Sequence, residues 1–298
     1  MNRPFRFRRP ALLGTLAREA RTAGGSVYLV GGAVRDALLG REPVDHDVAF
    51  EGPVEAALAL VAGLSSLGFS CEARHDRFGT ARLRAEGGER YDLAVTREER
   101  YPHPGALPVV RTGVPLGRDL ERRDFTVHAM ALPLDPAGGA GGLLDPFGGE
   151  ADLGLRRIRL LHEGSFADDP TRVFRAARYA ARLGFELDPG LSAAMQRAVE
   201  SGAFARISGD RLRRAFEDLL AEENRAMAVQ LLARLGVPAA VVEGWGVGAD
   251  AVAALRAVAT ADDAWPALLA PLPVADRDRI ATRLAFSRAL RRRAGCPR

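Results

Sequence analysis

The pattern of apolar residues changes about half way along the chain, and this change restricts the folds open to it. In the first half, short apolar or alternating segments are bounded by glycine and charged residues, which is typical of strands. A small mixed sheet with interspersed helices is therefore expected there. The predicted strands are Val27–Val30, Asp45–Phe50, Phe69–Ala73, Thr80–Arg84 and Arg90–Val95, and the predicted helices are Ala33–Leu39 and Val54–Leu67.

Strand signals disappear beyond the Gly- and Pro-rich stretch Pro133–Gly149, which we interpret as a loop or hairpin leaving the first domain. From Asp168 onward helical spacing dominates. The predicted fold class is α+β, with an N-terminal head that contains a small mixed sheet, followed by all-helical domains. The predicted helices are Arg172–Leu183, Pro189–Glu200, Gly209–Leu220, Asn224–Leu235, Val252–Thr260 and Ile280–Arg292.

Composition excludes several classes of protein. The 298 residues are 47% hydrophobic and 27% charged, which is ordinary for a folded chain with more than one core. Cys71 and Cys296 are the two cysteines, and their separation predicts neither a zinc site nor a disulfide framework. The longest apolar segment, Ala56–Leu64, is too short to span a membrane. We therefore expect a cytoplasmic protein with no membrane partner.

The formal net charge is only +4, and all 42 basic side chains are arginine. Compositional bias of the genome is the favoured explanation for the absence of lysine. Arginine nevertheless carries a fixed fork of donors that suits phosphates and base edges. The placement of particular arginines is consequently more informative than their number.

Two motifs in the first half together indicate nucleotidyl transfer. Gly31 and Gly32 follow a strand and open a helix that carries Arg35, so backbone N–H groups are offered to an anion. Asp45 and Asp47 are two apart on the next strand and project from one face, where their oxygens suit Mg²⁺. Taken singly, the glycines are explained as a structural turn and the carboxylates as a solvated strand edge. Together, a phosphate-binding turn followed by paired carboxylates is what phosphoryl or nucleotidyl transfer requires.

Three further features leave structural alternatives open. Asp92 is either a third carboxylate or a surface aspartate, and the segment Asp119–Thr126 has adjacent arginines that also suit a salt-bridged turn. Asp168 and Asp169 precede a proline, which is ordinary capping chemistry. The helix that follows carries arginines along one side, either as a solvated stripe or as a binding surface, at Arg172, Arg175 and Arg178.

In combination and order, these segments resemble the class II tRNA nucleotidyltransferases (CCA-adding enzymes) and the related bacterial poly(A) polymerases. The matching stretches read LVGGAVRDALLG, VDHDVAFEG, RRDFTVHAMAL, LLDPFGG and DDPTRVFRAARYAARLGF. The resemblance implies a nucleotidyltransferase head over residues 1–150, a neck with nucleobase-selecting helices over 151–208, and a helical RNA-binding body over 209–298. It also implies a shortened C-terminal tail.

The resemblance assigns roles to particular residues. Asp45 and Asp47 would bind catalytic Mg²⁺, with Asp92 as a further catalytic carboxylate. Asp168, Asp169 and Arg172 would read the nucleobase. The residues that would bind the nucleotide are Gly32, Arg35, Arg123, Asp169, Arg172, Arg175 and Arg178. The implied substrates are CTP, ATP and the 3′ end of tRNA, with no obligate protein partner.

The chemistry of the bases independently supports the selecting pair. Cytosine and adenine each present an amino donor beside a ring-nitrogen acceptor on the Watson–Crick edge. Asp169 can accept from the amine while Arg172 donates to the ring nitrogen. Uracil and guanine reverse this pattern and would leave buried polar groups unpaired, which is costly.

The sequence departs from the family pattern at His128, where asparagine is usual, and at Asp168, where glutamate is usual. The segment Arg97–Val114 lies where family members carry a flexible loop linked to the change from C to A addition. The open alternatives are an enzyme that adds only CC or only A, a poly(A) polymerase, a non-catalytic RNA-binding relative, and a nucleotidyltransferase acting on small molecules.

Overall fold

The computed structural model describes residues 9–43 and 45–297. The predicted start of the head at residue 1 and end of the body at residue 298 lie outside the described residues. The chain divides into two compact units, the first formed by residues up to 100 and 108–155, and the second by residues 101–107 and those from 156 onward. Within the described ranges, no helix is both long and apolar enough to cross a bilayer.

The first unit is built around a mixed sheet, as predicted. In the described part of the chain this sheet has seven strands in the order β3-β4-β5-β2-β1-β8-β9, and β6 and β7 form a separate hairpin. The strands are β1 (Ser26–Val30), β2 (Asp45–Glu51), β3 (Phe69–His75), β4 (Thr80–Ala85), β5 (Arg90–Val95), β6 (Arg97–Arg100), β7 (Val109–Thr112), β8 (Ala131–Asp135) and β9 (Gly139–Ala140).

Five helices of the described chain accompany these strands: α1 (Pro10–Thr22), α2 (Gly32–Leu38), α3 (Val54–Leu64), α4 (Leu116–Glu121) and α5 (Gly149–Gly154). Helices α1 and α3 contact each other and the sheet, and they bury Leu13, Leu16, Leu60 and Leu64. Each such leucine stabilises the fold by roughly 1.5 to 3 kcal/mol. This burial fixes which face of the sheet is the core.

Alternation along the strands places the polar residues on the opposite face. Val48 pairs in register with Leu29, and both side chains are buried. Asp45, Asp47 and Ala49 point the other way, because side chains alternate along a strand. On that second face Ala49 packs in a small apolar cluster with the α4 residue Leu120. Helix α4 thus covers one end of the face that carries the two aspartates.

The second unit is helical, with one short parallel strand pair that the sequence did not predict. Its elements are β10 (Arg157–Ile158), α6 (Ser165–Asp168), α7 (Arg172–Leu183), β11 (Glu186–Leu187), α8 (Pro189–Glu200), α9 (Gly209–Leu220), α10 (Arg225–Arg234), α11 (Val237–Val241), α12 (Ala249–Ala257), α13 (Ala264–Leu269), α14 (Val274–Arg283) and α15 (Arg288–Arg293). The α+β class predicted from the sequence is confirmed.

A cluster of aromatic side chains lies in the core of the second unit. Phe216 of α9 lies at its centre, with its ring centroid 4.7 Å from that of Phe174 and 5.5 Å from that of Trp265. Trp265 in turn packs edge-on against Phe286, at 4.8 Å between centroids. Aromatic pairs at these separations stabilise a core beyond the area that they bury. The packing holds α7 and α9 together, and α7 carries the arginines singled out above.

Candidate active site

Strand β2 positions the two aspartates of the first unit. Asp45 and Asp47 are exposed on one face, while His46 between them is buried and stacks on Tyr91 at 4.7 Å between ring centroids. Strand β5 runs parallel to β2 with Asp92 in register with Asp47. Registered neighbours share a face, so three carboxylates lie on the same side of the sheet.

The glycine turn faces Asp47. Gly31 has φ +65°, a conformation that disfavours any residue with a Cβ. A Cβ at Gly31 would lie 2.8 Å from Nη1 of Arg123 and 3.4 Å from Oδ2 of Asp47. The backbone can therefore approach both charged groups only because residue 31 is glycine. The nucleotide contact of Gly32 stays a prediction, and Gly31 is the glycine that lies against Arg123 and Asp47.

The charge environment of Asp47 suits a cation. Although part of Asp47 is exposed, the protein packed around its carboxyl removes some of its water and raises its pKa; Arg123 opposes this, and Asp92 and Asp45 raise the pKa further. Among the described residues, no group of three or more His, Cys, Asp or Glu side chains is placed to hold a metal ion by itself. Mg²⁺ does not need three protein ligands, because it commonly uses one or two carboxylates together with water and substrate phosphates. Asp45 and Asp47 fit that pattern.

Asp92 is engaged with a neighbouring strand. Its Oδ1 accepts a hydrogen bond from Nε of Arg82 at 2.9 Å, and both side chains are about half exposed. Asp92 therefore has an ion-pair partner in addition to its electrostatic coupling with Asp47. Its catalytic role stays a prediction.

Arg35 is a buried residue in the middle of α2, with 4% of its surface exposed. Its Nε and Nη2 donate to the two oxygens of Asp36, and Nη1 lies 2.7 Å from Nε2 of His128. A Cβ at Gly32 would lie 3.5 Å from Nη2 of Arg35. Arg35 is thus held against the glycine turn, as expected for a residue near the phosphates, while several of its donors are used within the protein.

Arg123 completes this group in the first unit. Its Nη1 donates to the backbone oxygen of His128 at 3.2 Å, and its Nη2 donates to Oδ2 of Asp119 at 3.0 Å. Sequence reasoning did not select Asp119 as a site residue. The available signal was the spacing, because Asp119 on the short helix α4 lies four residues before Arg123, a separation at which side chains meet.

Asp169 of the second unit is fixed by hydrogen bonds at one oxygen. Its Oδ1 accepts from the backbone N–H and the hydroxyl of Thr171, at 3.0 and 2.7 Å. The same atom accepts from Nη2 of Arg211 in α9, at 3.0 Å, and Nη1 of Arg211 donates to the backbone oxygen of Gly105. These contacts orient the carboxyl just before α7 begins.

Arg172 is the first residue of α7 and is buried, with 7% of its surface exposed. Its Nη1 donates to Oγ of Ser165 at 2.6 Å, and its guanidinium lies 5.9 Å from the ring centroid of Tyr101. A guanidinium at this distance from an aromatic ring is attracted to the ring. Asp169 and Arg172 are therefore both restrained at the N-terminal end of one helix.

The next arginines along α7 surround a single aromatic ring. The guanidinium carbons of Arg175 and Arg178 lie 5.3 and 5.0 Å from the ring centroid of Tyr179. Arg178 also forms ion pairs with Asp218 at 3.2 Å and Glu222 at 3.7 Å. The predicted basic stripe is accordingly a partly buried network. A nucleotide-binding role for Arg175 and Arg178 stays a prediction.

The predicted residues thus fall into two groups, one in each compact unit. Asp45, Asp47, Arg35, Arg123 and the glycine pair lie together in the first unit, and Asp169 and Arg172 lie together in the second. That both groups serve one active site stays a prediction.

Comparison with known proteins gives consistent matches. Residues 27–159 match the family model described as the poly A polymerase head domain. The A-adding tRNA nucleotidyltransferase of Geobacter sulfurreducens is 39% identical over 80% of this chain and 26% of its own length. The CC-adding tRNA nucleotidyltransferase of Deinococcus radiodurans is 40% identical over 80% of this chain and 58% of its own length. The chain thus spans between a quarter and three fifths of these curated relatives.

One solved structure is matched over a larger share of its own length than these relatives are. The apo form II of a CCA-adding enzyme superposes with a TM-score of 0.80 at 31% identity, covering 94% of this chain and 68% of that one. This coverage extends through both compact units, whereas the head-domain match ends at residue 159.

Proposed function

The chain belongs to the family of tRNA nucleotidyltransferases and poly(A) polymerases, and we propose that it adds C and A nucleotides from CTP and ATP to the 3′ end of tRNA. The names of the Geobacter and Deinococcus relatives support tRNA as the acceptor and both nucleotides as donors. The observation that carries the proposal is the convergence of Asp47 and Arg123 on the Gly31 turn.

In this proposal the first unit performs the chemistry. Asp45 and Asp47 hold Mg²⁺, which when bound lowers the pKa of the attacking 3′-hydroxyl and neutralises charge on the triphosphate. Arg123 and the backbone N–H groups at the start of α2 bind the phosphates. Arg35, whose Nη2 lies close to Gly32, is a further phosphate-binding residue in this proposal. Asp92 remains a candidate third carboxylate.

The second unit selects the base. Asp169 accepts a hydrogen bond from the exocyclic amine, and Arg172 donates to the ring nitrogen beside it. The restraints on both side chains support this assignment, because a selecting pair must be fixed before the base arrives. Residues 151–208 serve as the neck and residues 209–298 as the RNA-binding body, which grips the backbone and shape of tRNA. We place this activity in the cytoplasm.

We propose full CCA addition as the specificity, with addition of CC alone or A alone as the second candidate. The second candidate is favoured by the names of the two relatives, one A-adding and the other CC-adding. A non-catalytic RNA-binding protein would gain nothing from crowding Asp45, Asp47 and Asp92, which raises the pKa of Asp47. A small-molecule enzyme has no use for the restrained Asp169 and Arg172 pair.

The decisive experiment supplies tRNA transcripts that end at the discriminator base, at C or at CC, with each NTP singly and with CTP and ATP together. Product length on a denaturing gel then identifies the activity. Full CCA addition extends the first transcript by C, C and A when both nucleotides are present. A CC-adding enzyme stops before A, an A-adding enzyme extends only the transcript ending in CC, and a poly(A) polymerase produces a long ladder with ATP alone.

The assignment of Asp47 is tested in the same assay. We expect Asp47→Asn to reduce Mg²⁺-dependent incorporation by more than roughly a hundredfold, because it removes a charged metal ligand. Asp250→Asn is the matched control, since Asp250 is an exposed aspartate at the start of α12 in the other unit. Equal incorporation by the wild type and Asp47→Asn would exclude the proposed chemistry.

A further inference from the structure

Asp119 of α4 is a buried carboxylate among arginines, with 2% of its surface exposed. Its Oδ1 accepts from the backbone N–H of Arg97 at 3.1 Å and from Nε and Nη2 of Arg122 at 3.0 and 2.8 Å. Its Oδ2 accepts from Nη2 of Arg123 at 3.0 Å. Burial alone would raise the pKa of Asp119, but Arg122 and Arg123 together lower it below its ordinary value.

The two oxygens of Asp119 face different parts of the first unit. Oδ1 serves strand β6 through Arg97 and Arg122, and Arg122 also pairs with Glu99 of that strand at 3.1 Å. Oδ2 serves only Arg123 among the contacts described above. Oδ1 of Asp119 therefore anchors β6, and Oδ2 orients Arg123.

Arg123 is the group through which Asp119 reaches the active site. Two points hold its guanidinium, the carboxylate of Asp119 and the backbone oxygen of His128. These two acceptors fix the plane of the fork, so that Nη1 lies beside Gly31. Arg123 is also the largest favourable charge acting on Asp47.

We propose that Asp119 is a positioning residue for nucleotide binding, which holds the Arg123 guanidinium beside the Gly31 turn in the orientation that receives the triphosphate. The inference rests on the proposed function and adds a residue that neither the family motif nor the comparisons assign. Asp119 acts only through Arg123 and does not touch the nucleotide.

The test is a double-mutant cycle with Asp119→Asn and Arg123→Ala, measured as KM for CTP and, separately, KM for tRNA. Asparagine keeps the shape of Asp119 but removes its charge. We expect Asp119→Asn to raise KM for CTP roughly tenfold or more, because a small misplacement of a binding group is costly. The KM for tRNA should change little. Glu121→Gln is the control, since Glu121 lies on the same helix and pairs with Arg118 at the surface.

Non-additivity is the expected signature of action through Arg123. The double variant should bind CTP no more weakly than Arg123→Ala alone. If the two effects add in full, Asp119 acts by another route and the proposal is overturned. The proposal is also overturned if Asp119→Asn and Glu121→Gln have the same KM for CTP. An inactive wild type would instead count against the proposed function, so the two failures are distinguishable.

A second variant covers the case in which Asp119→Asn fails to fold, as judged by loss of a cooperative melting transition. Arg123→Lys keeps a positive charge near Asp47 but lacks the fork that reaches both Asp119 and the oxygen of His128. We expect it to raise KM for CTP to a similar extent. An Arg123→Lys enzyme with the KM of the wild type overturns the proposal.

Discussion

Nη1 of Arg35 lies 2.7 Å from Nε2 of His128, and this contact fixes the tautomer of the histidine. A guanidinium has only donors, so Nε2 must accept and the ring proton must reside on Nδ1. Nδ1 lies 3.2 Å from Oδ1 of Asp124, to which it donates. The histidine thus transmits an orienting interaction from Asp124 to an arginine at the glycine turn. This is the position at which the resemblance described above predicts asparagine.

The first prediction concerns the replacement of His128. His128→Asn should keep activity within a few-fold of the wild type, because the amide oxygen can accept from Arg35. His128→Leu removes the acceptor from a buried charged donor, and we expect it to lower the free energy of unfolding by roughly 1 to 3 kcal/mol and to raise KM for CTP. Thermal unfolding and steady-state kinetics measure the two effects. Equal behaviour of the two variants would contradict the proposed role of the hydrogen bond.

The second prediction compares two glycines at opposite ends of α2. Gly31 and Gly40 have φ of +65° and +69°, so alanine is strained at either position, and more so at Gly31, whose ψ of −127° lies far from the left-handed helical region. A Cβ at Gly40 meets nothing within 4 Å, whereas at Gly31 it would displace Arg123. We expect both variants to lose stability, Gly31→Ala the more, and only Gly31→Ala to raise KM for CTP severalfold or more. If Gly40→Ala impairs CTP binding equally, strain and not the displaced arginine is responsible.

Local signals made much of the helical unit predictable. The predicted bounds of α7, α8 and α9 coincide with those of the structure. Their ends carry local signals: Asp188 and Ser208 accept hydrogen bonds from the first turns of α8 and α9, and Gly184 ends α7 in the left-handed region. Such interactions involve residues close in sequence, so they are readable from it.

The predicted helix Ile280–Arg292 is wrong, for a reason that is not local. The structure ends α14 at Arg283 and begins α15 at Arg288. Ala285 between them has φ +52°, and Phe286 packs against Trp265 of α13. Tertiary packing of one aromatic ring thus overrides helical periodicity. Ser287 caps the new helix by accepting from the N–H of Leu290.

The site shows the same division between local and distant interactions. Spacing along one strand predicted that Asp45 and Asp47 share a face. It could not predict that Asp92 comes into register with Asp47, because that depends on the parallel pairing of β2 with β5. Likewise, the spacing of Asp119 and Arg123 predicts an ion pair but not that Arg123 then lies against Gly31.

The third prediction follows from the lowered pKa of Asp119. A carboxyl whose folded-state pKa is depressed stabilises the fold above the unfolded pKa, and this stabilisation is lost as the pH falls through the folded value. Asp119→Asn should therefore lower the free energy of unfolding by roughly 2 to 4 kcal/mol at neutral pH. The gap between wild type and variant should stay constant from pH 7 to 5, because the ordinary value is 3.8, and close only at lower pH. Urea titrations at several pH values measure it. A gap that closes between pH 7 and 5 would refute this assignment.

The last prediction concerns base selection in the second unit. Arg211 supplies one of the hydrogen bonds that hold Oδ1 of Asp169, and it links that carboxyl to the backbone of Gly105. If Asp169 reads the exocyclic amine, loosening it should weaken discrimination more than chemistry. We expect Arg211→Ala to reduce the preference for CTP over UTP by roughly tenfold or more, with a smaller loss in kcat for CTP. Arg214→Ala is the matched control, since Arg214 lies on the same helix, is exposed, and pairs with Asp210. Competition assays with both nucleotides measure the preference directly. An unchanged preference in Arg211→Ala, together with a proportional loss for CTP and UTP, would mean that Arg211 supports the fold of the helical unit and not the reading of the base.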